Sequence, residues 1–136
     1  MITGEIQIRV RYAETDRMGY MYYGHYGTYF EVARVELLRS LGFTYKKLED
    51  EGILMPVLEY SIKYFRPAYY DDLLTIKTVV PKLPATRILF TYETWNQNDI
   101  QLSKAETTLV FVNKSSGKPT NAPKDLMDVM KGYFPA

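Results

Sequence analysis

Ile6, Ile8 and Val10 alternate with Glu5, Gln7 and Arg9, the period of two that marks a half-buried strand. The alternation stops in a Tyr- and Gly-rich loop. Tyr26, Phe30, Ala33, Leu37 and Leu41 then recur every three or four residues, one face of a helix. Gly19 and Gly24 place the helix start between Tyr20 and His25, and Gly42 caps an end at Leu41. Thr44 is placed to cap a second, short helix over residues 45–51, closed by Gly52. From Ile53 the period returns to two. Leu58, Tyr60, Ile62 and Tyr64 share one side of a strand that closes at Arg66-Pro67. Leu74, Ile76 and Val80 mark the next strand, Ile88, Phe90 and Tyr92 another, and residues 102–112 the last. Pro81 and Pro84, the run Asn96-Gln97-Asn98-Asp99, and Ser115-Ser116-Gly117-Lys118 separate or close these strands, and such short links predict an antiparallel meander. A final helix is expected from about Lys124 to Met130, after Pro123. The order predicts an α+β domain in which a curved antiparallel five-stranded sheet wraps one long helix. The 136 residues fit a single domain, 1–136.

Charge adds little direction. Seventeen Lys and Arg against 16 Asp and Glu give a net charge of +1, so no overall field steers the chain to nucleic acid or an anionic membrane. Any phosphate recognition must be local. The absence of cysteine excludes a disulfide framework, a thiolate nucleophile and a sulfur-ligated metal, and it agrees with a reducing, cytoplasmic setting. The start Met1-Ile2-Thr3-Gly4-Glu5 lacks the features of a signal peptide, and no apolar run approaches the ~20 residues of a membrane span. Neither export nor anchoring is expected.

Elimination narrows the chemistry. One histidine cannot build a multi-His metal site, and neither a Gly-x-Ser-x-Gly elbow nor a Gly-x-Gly-x-x-Gly loop is present. Gly117-Lys118-Pro119-Thr120 lacks the earlier glycine of a phosphate loop and reads as a turn. Asp16 is the leading candidate, because a carboxylate near a helix start can act as base or nucleophile on an electrophile whose oxyanion meets unpaired N–H groups. Asp is equally a common loop and capping residue. His25, in the first turn, is favoured as the neutral imidazole by the positive end of the dipole and can hydrogen-bond a carbonyl or a water, or serve structure alone. Tyr20, Tyr22, Tyr23, Tyr26 and Tyr29 suit an acyl or aromatic pocket, and equally a packed surface with a wet edge. Glu31 and Arg34 are spaced for a structural i,i+3 ion pair.

The segment Arg11-Tyr12-Ala13-Glu14-Thr15-Asp16-Arg17-Met18-Gly19, with Tyr22-Tyr23-Gly24-His25-Tyr26 and Tyr29-Phe30-Glu31-Val32-Ala33-Arg34, resembles the hot-dog-fold acyl-CoA thioesterases of the 4-hydroxybenzoyl-CoA thioesterase type. The resemblance continues through Phe65-Arg66-Pro67-Ala68-Tyr69-Tyr70-Asp71-Asp72 and Leu74-Thr75-Ile76, and spans residues 5 to about 113. It implies that Asp16 is the catalytic aspartate, attacking the thioester carbonyl or activating the water that does. It implies that the Tyr23 N–H polarises the thioester oxygen, and that no metal or redox cofactor takes part. Two departures stand out. The family's motif often has asparagine where His25 stands, and both can donate a hydrogen bond to a substrate or water. The family's consecutive basic residues for the coenzyme phosphates are reduced here, in Lys82-Leu83-Pro84-Ala85-Thr86-Arg87, to Lys82 and Arg87.

The resemblance further implies homodimers joined edge to edge, often paired into homotetramers, with a pantetheine tunnel at the seam near Tyr64, Arg66 and Pro67. An exposed antiparallel edge agrees with a partner in outline. The expected activity is hydrolysis of an acyl-CoA thioester to a carboxylic acid and coenzyme A. A hot-dog hydratase or dehydratase and a non-catalytic acyl-carrier binding module are the alternatives.

Overall fold

The structure, a computed structural model, describes residues 1–135. Strand β1 (Ile2–Arg9) leads through a 3₁₀ turn (Tyr12–Glu14) to α1 (His25–Ser40) and α2 (Tyr45–Asp50). There follow β2 (Ile53–Leu54), β3 (Val57–Tyr64), β4 (Leu73–Val80), β5 (Arg87–Trp95), β6 (Gln101–Val110), β7 (Val112–Asn113) and α3 (Lys124–Lys131). Five strands form one sheet in the order β1-β4-β5-β6-β3, every pair antiparallel. The expected α+β architecture is present. The helix boundaries fall close to those read from capping residues, and Thr44 Oγ1 accepts from Lys47 N–H at 3.0 Å as its position predicts.

The four-strand meander is corrected in one respect. Only β4, β5 and β6 form it; β3 lies beyond β6 and β1 takes the place beside β4. The cause is the link from Phe65 to Asp72, which is pinned across the end of the sheet instead of turning back. Phe65 N–H donates to Leu102 O (2.8 Å), Met21 N–H to Ala68 O (2.7 Å), and Asp71 N–H to Val10 O (2.9 Å). The last expected strand also breaks at Phe111, after which β7 leaves the sheet to pair with β2. These two short strands were too brief to show a period.

Helix α1 buries Tyr26, Tyr29, Phe30, Ala33, Leu37 and Leu38 against the sheet. Phe30 stacks on Tyr92, with centroids 4.5 Å apart and planes 22° apart, and meets Tyr60 edge-on at 6.1 Å. Close approach to β1 depends on Gly4, where a Cβ would fall 2.8 Å from Leu37 Cδ1. The expected Glu31–Arg34 pair does not form. Glu31 faces solvent, whereas Arg34 is buried and donates from Nε to Tyr45 Oη at 3.0 Å.

Strand β3 is one edge of the sheet, and β1 is the other. Val57, Leu58, Tyr60 and Tyr64 stay 44–47% exposed although Tyr60 and Tyr64 reach the rings of α1. Among the described residues no helix is long and apolar enough to cross a membrane. Because Phe30 is fully enclosed, Phe30→Ala is expected to lower unfolding free energy by about 3–5 kcal/mol. A denaturation midpoint equal to that of the parent would contradict this packing.

Candidate active site

The chain leaves β1 under tight control. Val10 N–H donates to Asp72 O at 2.9 Å, the 3₁₀ turn follows, and Thr15 pairs with Met21 in an isolated antiparallel bridge. Between those two residues the backbone makes a small closed loop. Asp16 N–H donates to Tyr20 O (3.0 Å), Gly19 N–H donates to Asp16 O (3.0 Å), and Met18 N–H donates to Asp16 Oδ1 (2.8 Å). Gly19 sits at φ +87°, a left-handed conformation that disfavours a side chain and that the turn requires. One carboxylate oxygen is thus held by its own loop. The other, Oδ2, has no partner among the described residues.

Asp16 lines a pocket of about 410 Å³ together with Tyr23, Tyr26, Tyr64, Arg66 and Pro67, a size suited to a small ligand. The displaced β3 explains the second wall, since the Phe65–Asp72 link runs past the loop. The helix start forms the remaining side. No side chain caps α1, its first turn has no acidic residue, and its opening bonds run from His25 N–H to Tyr22 O (3.1 Å) and Tyr26 N–H to Tyr23 O (3.2 Å). Among the described residues the Tyr23 and Gly24 N–H groups have no acceptor. They are the orphan donors of a helix terminus, and negative charge is stabilised beside them. Burial pushes the Tyr26 phenol up to about 12, so it stays protonated in this wall.

The structure brings Asp16, Tyr23, Tyr64, Arg66 and Pro67 together, but not the other expected residues. Tyr22 is outside the lining; its ring packs on Tyr23 (centroids 4.6 Å) and covers Gly24, where a Cβ would fall 2.6 Å from Cε2. His25, half-buried in the first turn, meets Tyr22 edge-on at 5.9 Å and is also outside the lining. Lys82 and Arg87 lie at the opposite end of the sheet. Arg87 pairs with Val110 and Val80 with Ile2, whereas the pocket end is marked by Arg9–Leu73 and Tyr64–Ser103. A strand of this length separates the two ends by roughly 25 Å. A larger hollow of about 640 Å³ lies among Lys77, Glu93, Lys104 and Glu106 on the sheet's outer face; it contains no residue of the Asp16 loop.

One residue escaped the sequence reading as a candidate for the site. Glu14 is 3% exposed and accepts from Arg11 N–H (2.8 Å), Arg11 Nη2 (3.1 Å) and Tyr29 Oη (2.5 Å). The Arg11–Glu14 spacing was the available signal, since it closes a capping box around the 3₁₀ turn. Burial alone raises the Glu14 carboxyl, but the hydrogen bonds from Arg11 and Tyr29 outweigh it and hold the group below its ordinary 4.5. A depressed carboxyl contributes stability above its unfolded value and loses it as pH falls through the lower folded value. Glu14→Gln is therefore expected to flatten the loss of stability below about pH 4.5. Parallel denaturation midpoints for parent and variant across the acid range would contradict the assignment.

The whole arrangement has known relatives. The family model of the thioesterase-like superfamily matches residues 10–130. The acyl-CoA thioester hydrolase YbgC of Escherichia coli O157:H7 is 32% identical over 124 residues, covering 91% of this chain and 92% of that protein. A DHNA-CoA thioesterase structure from Staphylococcus aureus superposes with a TM-score of 0.93 at 32% identity, covering 98% of this chain and 91% of the other. A 4-hydroxybenzoyl-CoA thioesterase complex shares the fold alone, with a TM-score of 0.85 at 17% identity, over 95% of this chain and 99% of the other. With its five-stranded sheet, its central helix and a match across most of its length, the chain belongs to the hot-dog thioesterase-like superfamily.

Proposed function

We propose that Asp16 and the unpaired N–H groups at the start of α1 hydrolyse an acyl-CoA thioester to a carboxylic acid and coenzyme A. The observation that carries this reading is one pocket shared by a carboxylate with a free oxygen and by an uncapped helix start. A thioester carbonyl whose oxygen faces the Tyr23 and Gly24 N–H groups would find its developing oxyanion stabilised by donors already in place. Asp16 then acts in one of two ways. As a base it takes a proton from water, hydroxide adds to the carbonyl carbon, the C–S bond breaks, and the thiolate recovers the proton. As a nucleophile it forms a mixed anhydride and expels the thiolate, and water cleaves the anhydride in a second step. Neither route demands a strong acid, because a thiolate is a good leaving group, with a thiol pKa of roughly 8.5 in the cysteine analogue. His25, outside the pocket lining with its ring edge-on to Tyr22, takes no part in the reacting set of this reading. The cysteine-free composition supports a cytoplasmic setting.

The partner follows from the open edge. A second copy adding its own β3 antiparallel to this one would pair the idle backbone groups and cover the exposed Leu58 and Tyr60. The pocket wall from Tyr64 to Ala68 continues that edge, so the site would sit at the seam of a homodimer, with tetramers built from such pairs. A two-fold axis would set the Val57 end of one β3 beside the Tyr64 end of the other. It would thereby bring Lys82 and Arg87 of the second copy toward this chain's pocket, where they could meet coenzyme phosphates.

Asp16→Asn is expected to lower kcat by about 10²–10⁴-fold with an unchanged circular dichroism spectrum, measured as coenzyme A release from a panel of acyl-CoAs. A folded variant that keeps its rate would remove Asp16 from the mechanism. Sedimentation equilibrium is expected to give a dimer or tetramer, shifted toward monomer by the double substitution Val57→Lys and Leu58→Lys. A parent protein that is monomeric at micromolar concentration would refute the shared-edge arrangement.

A further inference from the structure

Asp16 and the Tyr23 N–H stand on separate segments, yet the proposed chemistry needs their separation fixed, since a misplacement of about 1 Å in a reacting pair can cost 10²-fold in rate. The bonds that shape the Asp16 turn do not supply that. They run to Met18, Gly19 and Tyr20, all within the turn, and Arg17, Met18 and Gly19 are exposed, Met18 at 71%. The base of the turn is anchored by the Thr15–Met21 bridge and by Met21 N–H on Ala68 O (2.7 Å), which fix it to the Phe65–Asp72 link and not to the body of α1. Something outside it must tie it to the helix.

Glu14 is the side chain that does so. Its Oε1 accepts from Tyr29 Oη at 2.5 Å, and Tyr29 is 3% exposed on the buried face of α1, one turn beyond His25. Its backbone carbonyl accepts from Tyr22 N–H at 2.8 Å, directly before Tyr23. The remaining contacts are to Arg11, through the backbone N–H at 2.8 Å and Nη2 at 3.1 Å. One residue thereby grips the helix body through its side chain and the approach to the helix start through its main chain, two positions before Asp16. Burying a carboxylate is unfavourable unless it is paired and hydrogen-bonded; the Arg11 bonds compensate it within the 3₁₀ turn, and the Tyr29 bond both compensates it and reaches α1.

Resting on the thioesterase reading above, we propose that Glu14 and Tyr29 are positioning residues, and that their hydrogen bond holds the Asp16 turn at a fixed distance from the first N–H groups of α1. What positions the turn is the acceptor oxygen on Glu14, more than its charge. Glu14→Gln keeps an oxygen to accept from Tyr29 and from the Arg11 N–H; Tyr29→Phe and Glu14→Ala cut the tie from either side.

The test is steady-state kinetics on the full-length parent, Tyr29→Phe, Glu14→Ala, Glu14→Gln, the double variant Tyr29→Phe/Glu14→Ala, and Asp16→Asn, each assayed below its own melting temperature. Tyr29→Phe is expected to lower kcat tenfold or more with KM within threefold of the parent. The double variant should fall no further than the worse single one, and Glu14→Gln should recover most of the rate. A purely structural role would lower Tm and leave kcat per folded molecule alone. The proposal is overturned if folded Tyr29→Phe loses less than tenfold in kcat, or if its loss lies in KM. Tyr29→Phe deletes one oxygen and keeps the ring in the core, so it remains the deciding variant even if Glu14→Ala fails to fold. The two claims fail separately: an inactive Asp16→Asn beside a fully active Tyr29→Phe sinks only the positioning role, whereas an active Asp16→Asn sinks the thioesterase mechanism itself.

Discussion

The stacking of Phe30 on Tyr92 at 4.5 Å seats α1 on the sheet, and the position of the proposed oxyanion donors follows from that seat. A helix so held has one orientation of its first turn. The Tyr23 and Gly24 N–H groups, without an acceptor among the described residues, are thereby fixed at its start, beside the pocket that Tyr23 lines. Preorganised donors of this kind lower a barrier because no solvent or backbone must reorient when the oxyanion forms. In the proposed mechanism the opposing carboxylate then needs only to be held at the right distance, the role assigned to the Asp16 turn and its tie through Glu14.

Topology does the rest. By crossing the end of the sheet, the Phe65–Asp72 link carries the chain from β3 to β4 and passes beside the Asp16 turn, giving the pocket its far wall. The same crossing leaves β3 at an unpaired, aromatic edge. Pocket wall and open edge are thus consequences of one connection, and in the proposed dimer the pocket would lie beside the surface that a second copy covers.

Much of this was legible in the chain. The helical spacing from Tyr26 to Leu37 describes a face that is in fact buried, and the alternation from Ile6 to Val10 one that runs from half-buried Ile6 and Ile8 to buried Val10, because a single core imposes a single periodicity on each element. The position of β3 was not legible. Leu58, Tyr60 and Tyr64 alternate like a buried strand, but no local pattern states which neighbour a strand pairs with, and short links elsewhere suggested a simple meander. Asp16 could be singled out from its loop, whereas Glu14 offered only its spacing from Arg11, and its burial is recognisable only once Arg11 and Tyr29 are seen to surround it. Arg34 failed for the converse reason. Its spacing from Glu31 suits an ion pair, but the helix turns it inward to Tyr45.

The structure of a complex with a non-hydrolysable acyl-CoA, in which a methylene replaces the thioester sulfur, tests the central claim most directly. The account predicts the keto oxygen within about 3 Å of the Tyr23 or Gly24 nitrogen, with the free oxygen of Asp16 facing the carbonyl carbon. A carbonyl bound away from the start of α1, or an Asp16 carboxylate turned out of the pocket in that complex, would contradict it.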